Sequence, residues 1–284
     1  MRASAYLRGR ATGTREMDAL SERHLVSQIN AILLTGGSAF GLGAADGVMR
    51  WLAERRRGFH VGVSVVPIVP AAVVFDLAPL GLPDRWPTPD DAYRACDAAG
   101  RVVAEGSVGA GTGATVGKAL GPQGAMKGGL GTWAVRQGDL LVGALAVVNA
   151  FGDVRGADGS ILAGARGDRG FADARAYLAR GGVPGGSFAR PGANTTLVVV
   201  ATNAHLERGQ MASLAQMSAD ALGQRITPVG TMFDGDIVFA VSVGDHRTAT
   251  VMAVEMLAQD ATATAIERAV RTAKGTKEVP GLAD

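Results

Sequence analysis

Two adjacent hydroxyls, Thr195 and Thr196, stand between Gly192-Ala193-Asn194 and the apolar run Leu197-Val198-Val199-Val200-Ala201. The run reads as a buried strand, and Arg190-Pro191-Gly192 before it reads as an exposed loop. A loop thus delivers two hydroxyls to the mouth of a strand. A threonine so placed could attack the carbonyl before it, cut the chain and keep the freed α-amine as its own base. By composition alone, Asn-Thr-Thr is more commonly a turn entering a strand. Chemistry therefore requires partners elsewhere: an oxyanion donor, a carboxylate for the amine and a group that eases proton loss.

Each type has a candidate. Asn149 ends the apolar stretch Leu140 to Val148 and offers an amide NH₂ to a developing oxyanion, although a terminal asparagine is also a common turn residue. Asp234-Gly235-Asp236 precedes Ile237-Val238-Phe239-Ala240 and reads by default as a hairpin turn. If extended, its two carboxylates share one face, where one of them would hold and tune an α-amine. Lys118 closes a glycine-dense block from Gly106 through Gly111 to Gly117; it is a solvated end if exposed and a nucleophile-orienting cation if buried.

Nucleotide readings of that block fail. A P-loop needs Gly where Thr112 stands and Ser or Thr where Ala119 stands. The dinucleotide fingerprint fits Gly109, Gly111 and Ala114 only in relaxed form, with no suitable helix after it. Four isolated histidines and no paired-cysteine spacing give no metal site, and no cofactor is expected. Cys96 is the one cysteine, which excludes an intramolecular disulfide and suits a reducing compartment.

The elements that must position these residues alternate. Strands are predicted over Asn30 to Thr35, Val61 to Val66, Ala71 to Leu77, Leu130 to Val135, Leu140 to Asn149, at 197 and around Phe239. Helices are predicted over Ala39 to Arg56, Pro89 to Glu105 with Thr88 as N-cap, Glu207 to Leu222 and Thr248 to Lys274. Residues 152–194 lack periodicity and read as an exposed connector. The alternation implies an α/β or layered α+β fold. Net charge is only +2 with scattered basic residues, so no nucleic-acid surface is expected. No apolar run reaches membrane-spanning or signal-peptide length, so the expectation is a cytoplasmic protein with no membrane partner.

Together these segments resemble the P1 family of autoprocessing peptidases, which contains L-aminopeptidase/D-esterases, β-aminopeptidases and nylon-oligomer hydrolases. The matching stretches are Leu33 to Leu42 with Ala45 to Val48, Val66 to Leu77, Gly109 to Ala114 with Lys118, Ala146 to Asn149, Asn194 to Leu197 with Ala201 to Ala204, and Asp234 to Asp236. They occur in the family's order along nearly the whole chain. The resemblance implies an α+β, four-layer αββα sandwich over residues 1–284, cut between Asn194 and Thr195 into chains 1–194 and 195–284. It implies Thr195 as nucleophile, Asn149 as oxyanion donor, Lys118, Asp234 and Asp236 as polar partners, and Gly111, Thr196 and Phe75 in the site's vicinity. Some members carry tyrosine at the place of Phe75. The implied partners are a small amide or peptide substrate and further copies of the chain, as a tetramer of processed heterodimers or larger. The implied activity is amide hydrolysis of the aminopeptidase type. The alternatives are an endo-type hydrolase of ω-amino-acid oligoamides and an acyl transferase like the ornithine acetyltransferases. A third is an unprocessed relative, since members carry a further early strand before the segment matching Ala5 to Glu16.

Overall fold

The apolar run after Thr196 lies at the centre of a five-stranded sheet in a computed structural model that describes residues 1–185, 193–246 and 250–284. The strand order is Arg2–Leu7, Ile237–His246, Thr195–Ala204, Leu140–Asn149 and Gly129–Gln137. Thr195–Ala204 runs parallel to Ile237–His246 and antiparallel to Leu140–Asn149. Both faces are covered, as the near-continuous Val, Leu and Ile content demands. Val198, Val200, Val148 and Ala146 pack with Leu214, Leu222, Ala258 and Ile266 from the helices Arg208–Arg225 and Val251–Arg271. The final helix lies close against the sheet at Gly131, where a Cβ would stand 2.2 Å from the Ala265 carbonyl.

Leu197, Val147, Ile237 and Phe239 point to the opposite face and pack with Ile68, Ala72 and Val74. Ala72 belongs to a small sheet in which Ala71–Val73 pairs with Thr14–Arg15 and Leu33–Thr35. Val48 and Leu52 of the helix Ala45–Glu54 join Val69 and Ala92, the last from the helix Pro89–Ala98. The predicted cap of that last helix is present: the Thr88 hydroxyl accepts from Asp91 N–H, and Asp91 reaches back to Thr88 N–H. The fold is a mixed α+β architecture.

Several predicted elements are shorter. Leu33–Thr35 alone is strand, and Ser38–Ala44 is a 3-10 segment before the true helix, because Gly41 packs where a Cβ would meet the Gly36 carbonyl at 1.8 Å. The helix from Pro89 stops at Ala98, before Ala99-Gly100. Val65–Val66 and Ala71–Val73 are strand; the flanking residues around Pro67 and Pro70 are not.

The largest correction concerns the expected connector. Its first part carries the strands Asp153–Arg155 and Ile161–Ala163 and a helix, Ala174–Ala179. It is anchored by buried Asp153, whose two carboxylate oxygens accept from Ala165 and Ala174 N–H, both at 2.7 Å. Short strands held by distant partners leave no periodic signal. The loop Arg190-Pro191-Gly192 and the predicted helix start at Thr248 lie outside the described residues; the helix is described from Val251.

Candidate active site

Sheet register brings the first two candidates together. Asn149 pairs directly with Thr195 across antiparallel strands, and both side chains take the face of Val147 and Leu197. Neither the step nor its hydroxyls are exposed, contrary to the loop reading: Ala193, Asn194, Thr195 and Thr196 are all buried.

The Thr195 hydroxyl donates to its own preceding carbonyl oxygen, on Asn194, at 2.5 Å. That oxygen also accepts from Gly235 N–H at 2.8 Å, because Asn194 forms a parallel bridge with Asp234. Gly235 is required here: a Cβ would stand 2.5 Å from the Ala11 carbonyl and 2.9 Å from the Thr195 hydroxyl. A backbone donor therefore already grips the carbonyl that a threonine attack would polarise.

Asn149 is held at both ends. Its Oδ1 accepts from Thr115 N–H at 3.0 Å and from Lys118 Nζ at 2.9 Å, while Nδ2 donates to the Phe75 carbonyl at 2.8 Å. Thr115 N–H only donates and the Phe75 carbonyl only accepts, which fixes the amide's orientation. Phe75 thus contributes its backbone, not its ring. Lys118 is fully buried, and its Nζ also donates to the backbone carbonyls of Asn149 at 3.1 Å and Ala193 at 3.3 Å. Burial pulls its pKa down to about 7, against the opposing charges of Asp234 and Asp76.

The two carboxylates of the Asp-Gly-Asp segment diverge in their bonding. Asp236 accepts from Thr196 N–H at 2.7 Å and Gly230 N–H at 3.1 Å. Asp234 accepts from Thr231 N–H and hydroxyl at 2.9 and 2.7 Å, and from Phe151 N–H at 3.4 Å. Burial, then the neighbouring Asp234 charge, pushes Asp236 up to about 8. Burial also raises Asp234, against its hydrogen bonds and Lys118.

The family model for peptidase family S58 matches residues 1–281. The chain belongs to peptidase family S58. It is 41% identical over 298 residues to an uncharacterised aminopeptidase of Mycobacterium tuberculosis (strain ATCC 25618 / H37Rv), covering 98% of this chain and 84% of that one. It is 28% identical over 236 residues to a 6-aminohexanoate-oligomer endohydrolase of Kocuria sp. (strain KY2), covering 76% of this chain and 61% of that one. The L-aminopeptidase D-Ala-esterase/amidase structure from Ochrobactrum anthropi, a variant of the Ntn hydrolase fold, superposes with a TM-score of 0.70 at 21% identity, covering 100% of this chain and 78% of that one. Family and relatives make this S58 chain an amidohydrolase.

Sequence reading missed several contributors within this S58 site. Gly235 N–H was hidden between two conspicuous carboxylates. Thr115 N–H and Thr231 act through bonds that no motif announces. Lys127 is a second buried lysine, donating to the carbonyls of Gly111, Ala114 and Gly128 at 2.9, 2.9 and 3.1 Å; Gly111 therefore serves as an anchor for the glycine block. Thr196 is buried on the helix-facing side beside Val148, and its hydroxyl has no hydrogen-bond partner among the described residues. A cavity of about 950 Å³ runs along Leu145, Val199, Ala201 and Val241, and its lining includes neither Thr195 nor Asn149. No metal-holding cluster and no helix long and apolar enough to cross a membrane occur among the described residues.

Proposed function

We propose that the chain cuts itself between Asn194 and Thr195 and then works as an N-terminal-threonine amidohydrolase of the aminopeptidase type, on an αββα sandwich. The observation that carries this reading is the Thr195 hydroxyl 2.5 Å from the Asn194 carbonyl oxygen, with Gly235 N–H on that same oxygen. Thr195 Oγ attacks the Asn194 carbonyl carbon, and the π pair moves to the oxygen that Gly235 holds. The hydroxyl proton passes to the Thr195 nitrogen, with Lys118 as the buried amine that relays it. The C–N bond breaks, leaving Asn194 esterified to Oγ. Water then cleaves the ester, giving the Asn194 carboxylate and a free Thr195 hydroxyl and α-amine.

In turnover the α-amine takes the hydroxyl proton as Oγ attacks a substrate amide. Gly235 N–H and the second N–H of the Asn149 amide receive the oxyanion, and the leaving amine takes the proton back as its C–N bond breaks. Water, deprotonated by the same α-amine, then hydrolyses the acyl ester, releasing the acid and restoring the Thr195 hydroxyl. A lone α-amine in this buried setting needs a carboxylate nearby, and Asp236, which already accepts from the next backbone N–H, is assigned that role. Such processed chains would assemble as a tetramer of heterodimers or larger, which light scattering checks.

The relation to the Kocuria oligoamide endohydrolase favours a second reading, endo-cleavage of ω-amino-acid oligomers. Aminoacyl p-nitroanilides cleaved in preference to N-blocked ones support the first; the reverse preference supports the second. Denaturing electrophoresis tests the core of both. Two fragments are expected in place of the 28.9 kDa chain, with Thr195→Ala remaining intact. A wild-type chain that stays whole after long incubation contradicts the proposal.

A further inference from the structure

The residues ahead of the proposed cut close the site in which they are to be cut. Ala193, Asn194 and Thr195 are buried, and Thr195 lines neither the cavity of about 950 Å³ nor one of about 470 Å³ beside Arg155 and Thr227. Lys118 Nζ donates to the Ala193 carbonyl at 3.3 Å, and Gly235 N–H to the Asn194 carbonyl at 2.8 Å. Asn194 Nδ2 donates to the Phe233 carbonyl at 3.4 Å, and Asn194 bridges Asp234 in parallel. None of these hydrogen bonds uses the Thr195 nitrogen, so the cut breaks none of them.

The cut turns the Asn194 carbonyl into a carboxylate. One of its oxygens can keep Gly235 N–H, now through a charge-assisted bond, and that N–H is the donor a substrate carbonyl needs. The carboxylate also forms beside the α-amine released with it. An anion there favours the ammonium form, which cannot take a proton from the Thr195 hydroxyl. Asp234 and Asp236 repel a third carboxylate, while the Lys118 amine and the new ammonium attract it, so the hold is reversible.

We infer that the freshly cut protein is inhibited by its own new C-terminus: Ala193-Asn194 stays where the acyl part of a substrate must sit, on the oxyanion donor and against the α-amine, and substrate enters only when this tail withdraws. This rests on Thr195 as the nucleophile and adds a regulatory step to that site. Cutting and activity are therefore separate events. Because tail and substrate exclude each other, the tail raises the apparent KM and leaves kcat unchanged.

The test treats fully processed protein with a carboxypeptidase until its intact mass shows Asn194 and Ala193 lost from the 1–194 chain, and compares aminoacyl p-nitroanilide hydrolysis before and after. The apparent KM is expected to fall about tenfold or more, as for loss of a bond to a charged group, with kcat within about twofold. Adding the peptide acetyl-Gly-Ala-Asn to trimmed protein is expected to restore the higher KM competitively, and its C-terminal amide to bind about tenfold more weakly. An unchanged KM on trimming, or a fall in kcat in its place, overturns the inference and leaves Thr195 standing as nucleophile. Asn194→Ala, which removes the bond to Phe233, reads the same hold without a protease. After processing, its apparent KM is expected about threefold below that of the wild type; an equal or higher value overturns the inference. A chain that never cuts itself contradicts the Thr195 reading, and the inference falls with it.

Discussion

Two buried lysines sit in comparable cages with different neighbours. Lys118 and Lys127 are both almost wholly buried, each donates to three oxygens among the described residues, and burial draws their pKa values down to about 7 and about 8. Among the described residues Lys127 donates to backbone carbonyls alone, two in the glycine block and one on Gly128, so its cage ties that block to the segment carrying the lysine. Among the described residues Lys118 donates to oxygens of Asn149 and of Ala193, the latter one residue before the proposed scissile bond. Burial and a lowered pKa alone do not separate a structural amine from one poised for proton transfer. The owners of the acceptors do.

The sharpest way to break this comparison is Lys118→Met. Self-cleavage is expected to slow by about 10²–10⁴-fold, the range for losing a positioned acid–base group, while melting shows a folded chain. Asn149→Ala comes next: amide hydrolysis by whatever processed protein forms is expected to drop about 10²–10³-fold, as for an oxyanion donor. Because Lys118 bonds the Asn149 amide directly, the double variant should lose less than the product of the two single losses.

Lys127→Met probes the other cage. It removes one donor from each of three carbonyls, of which those of Gly111 and Ala114 keep the backbone N–H groups of Ala114 and Gly128, and should cost about 1–3 kcal/mol of stability in chemical denaturation. The self-cleavage rate of the folded fraction should stay within about threefold of the wild type, well short of the acid–base loss expected at Lys118. A loss matching that of Lys118→Met would erase the distinction.

The smallest effect is in pH. Self-cleavage through a neutral Lys118 should rise as pH passes about 7 and then level off. Stability follows a different curve, best measured on uncleavable Thr195→Ala. Asp236 lies above its unfolded value of 3.8, so the folded chain binds the extra proton and stability falls as pH rises from about 4 to about 8. Lys118 and Lys127 lie below 10.5, so unfolding takes up protons and stability rises from about 7 to about 10.5. A trough near pH 7 to 8 is the expected melting profile.

The five polar candidates were legible because each stands where an apolar strand or a glycine block ends, and their order along the chain matched one family. The strand beginning at Thr195 and the capped helix at Thr88 were legible for local reasons, periodicity and capping chemistry. What stayed hidden depends on distant pairing. The register setting Asn149 against Thr195 and the bond from Gly235 N–H to Asn194 join residues about 40 or more apart, and no local pattern encodes them. Asp153 was unread for the same reason: its partners lie 12 and 21 residues away, in a segment whose glycines suggested only a loop.

The most direct measurement is the N-terminal sequence and mass of the fragments formed by purified protein on standing. The account predicts one new N-terminus, Thr195-Thr196-Leu197-Val198, appearing at a rate independent of protein concentration. A chain that stays whole, a cut elsewhere, or continued cutting in Thr195→Ala would contradict it.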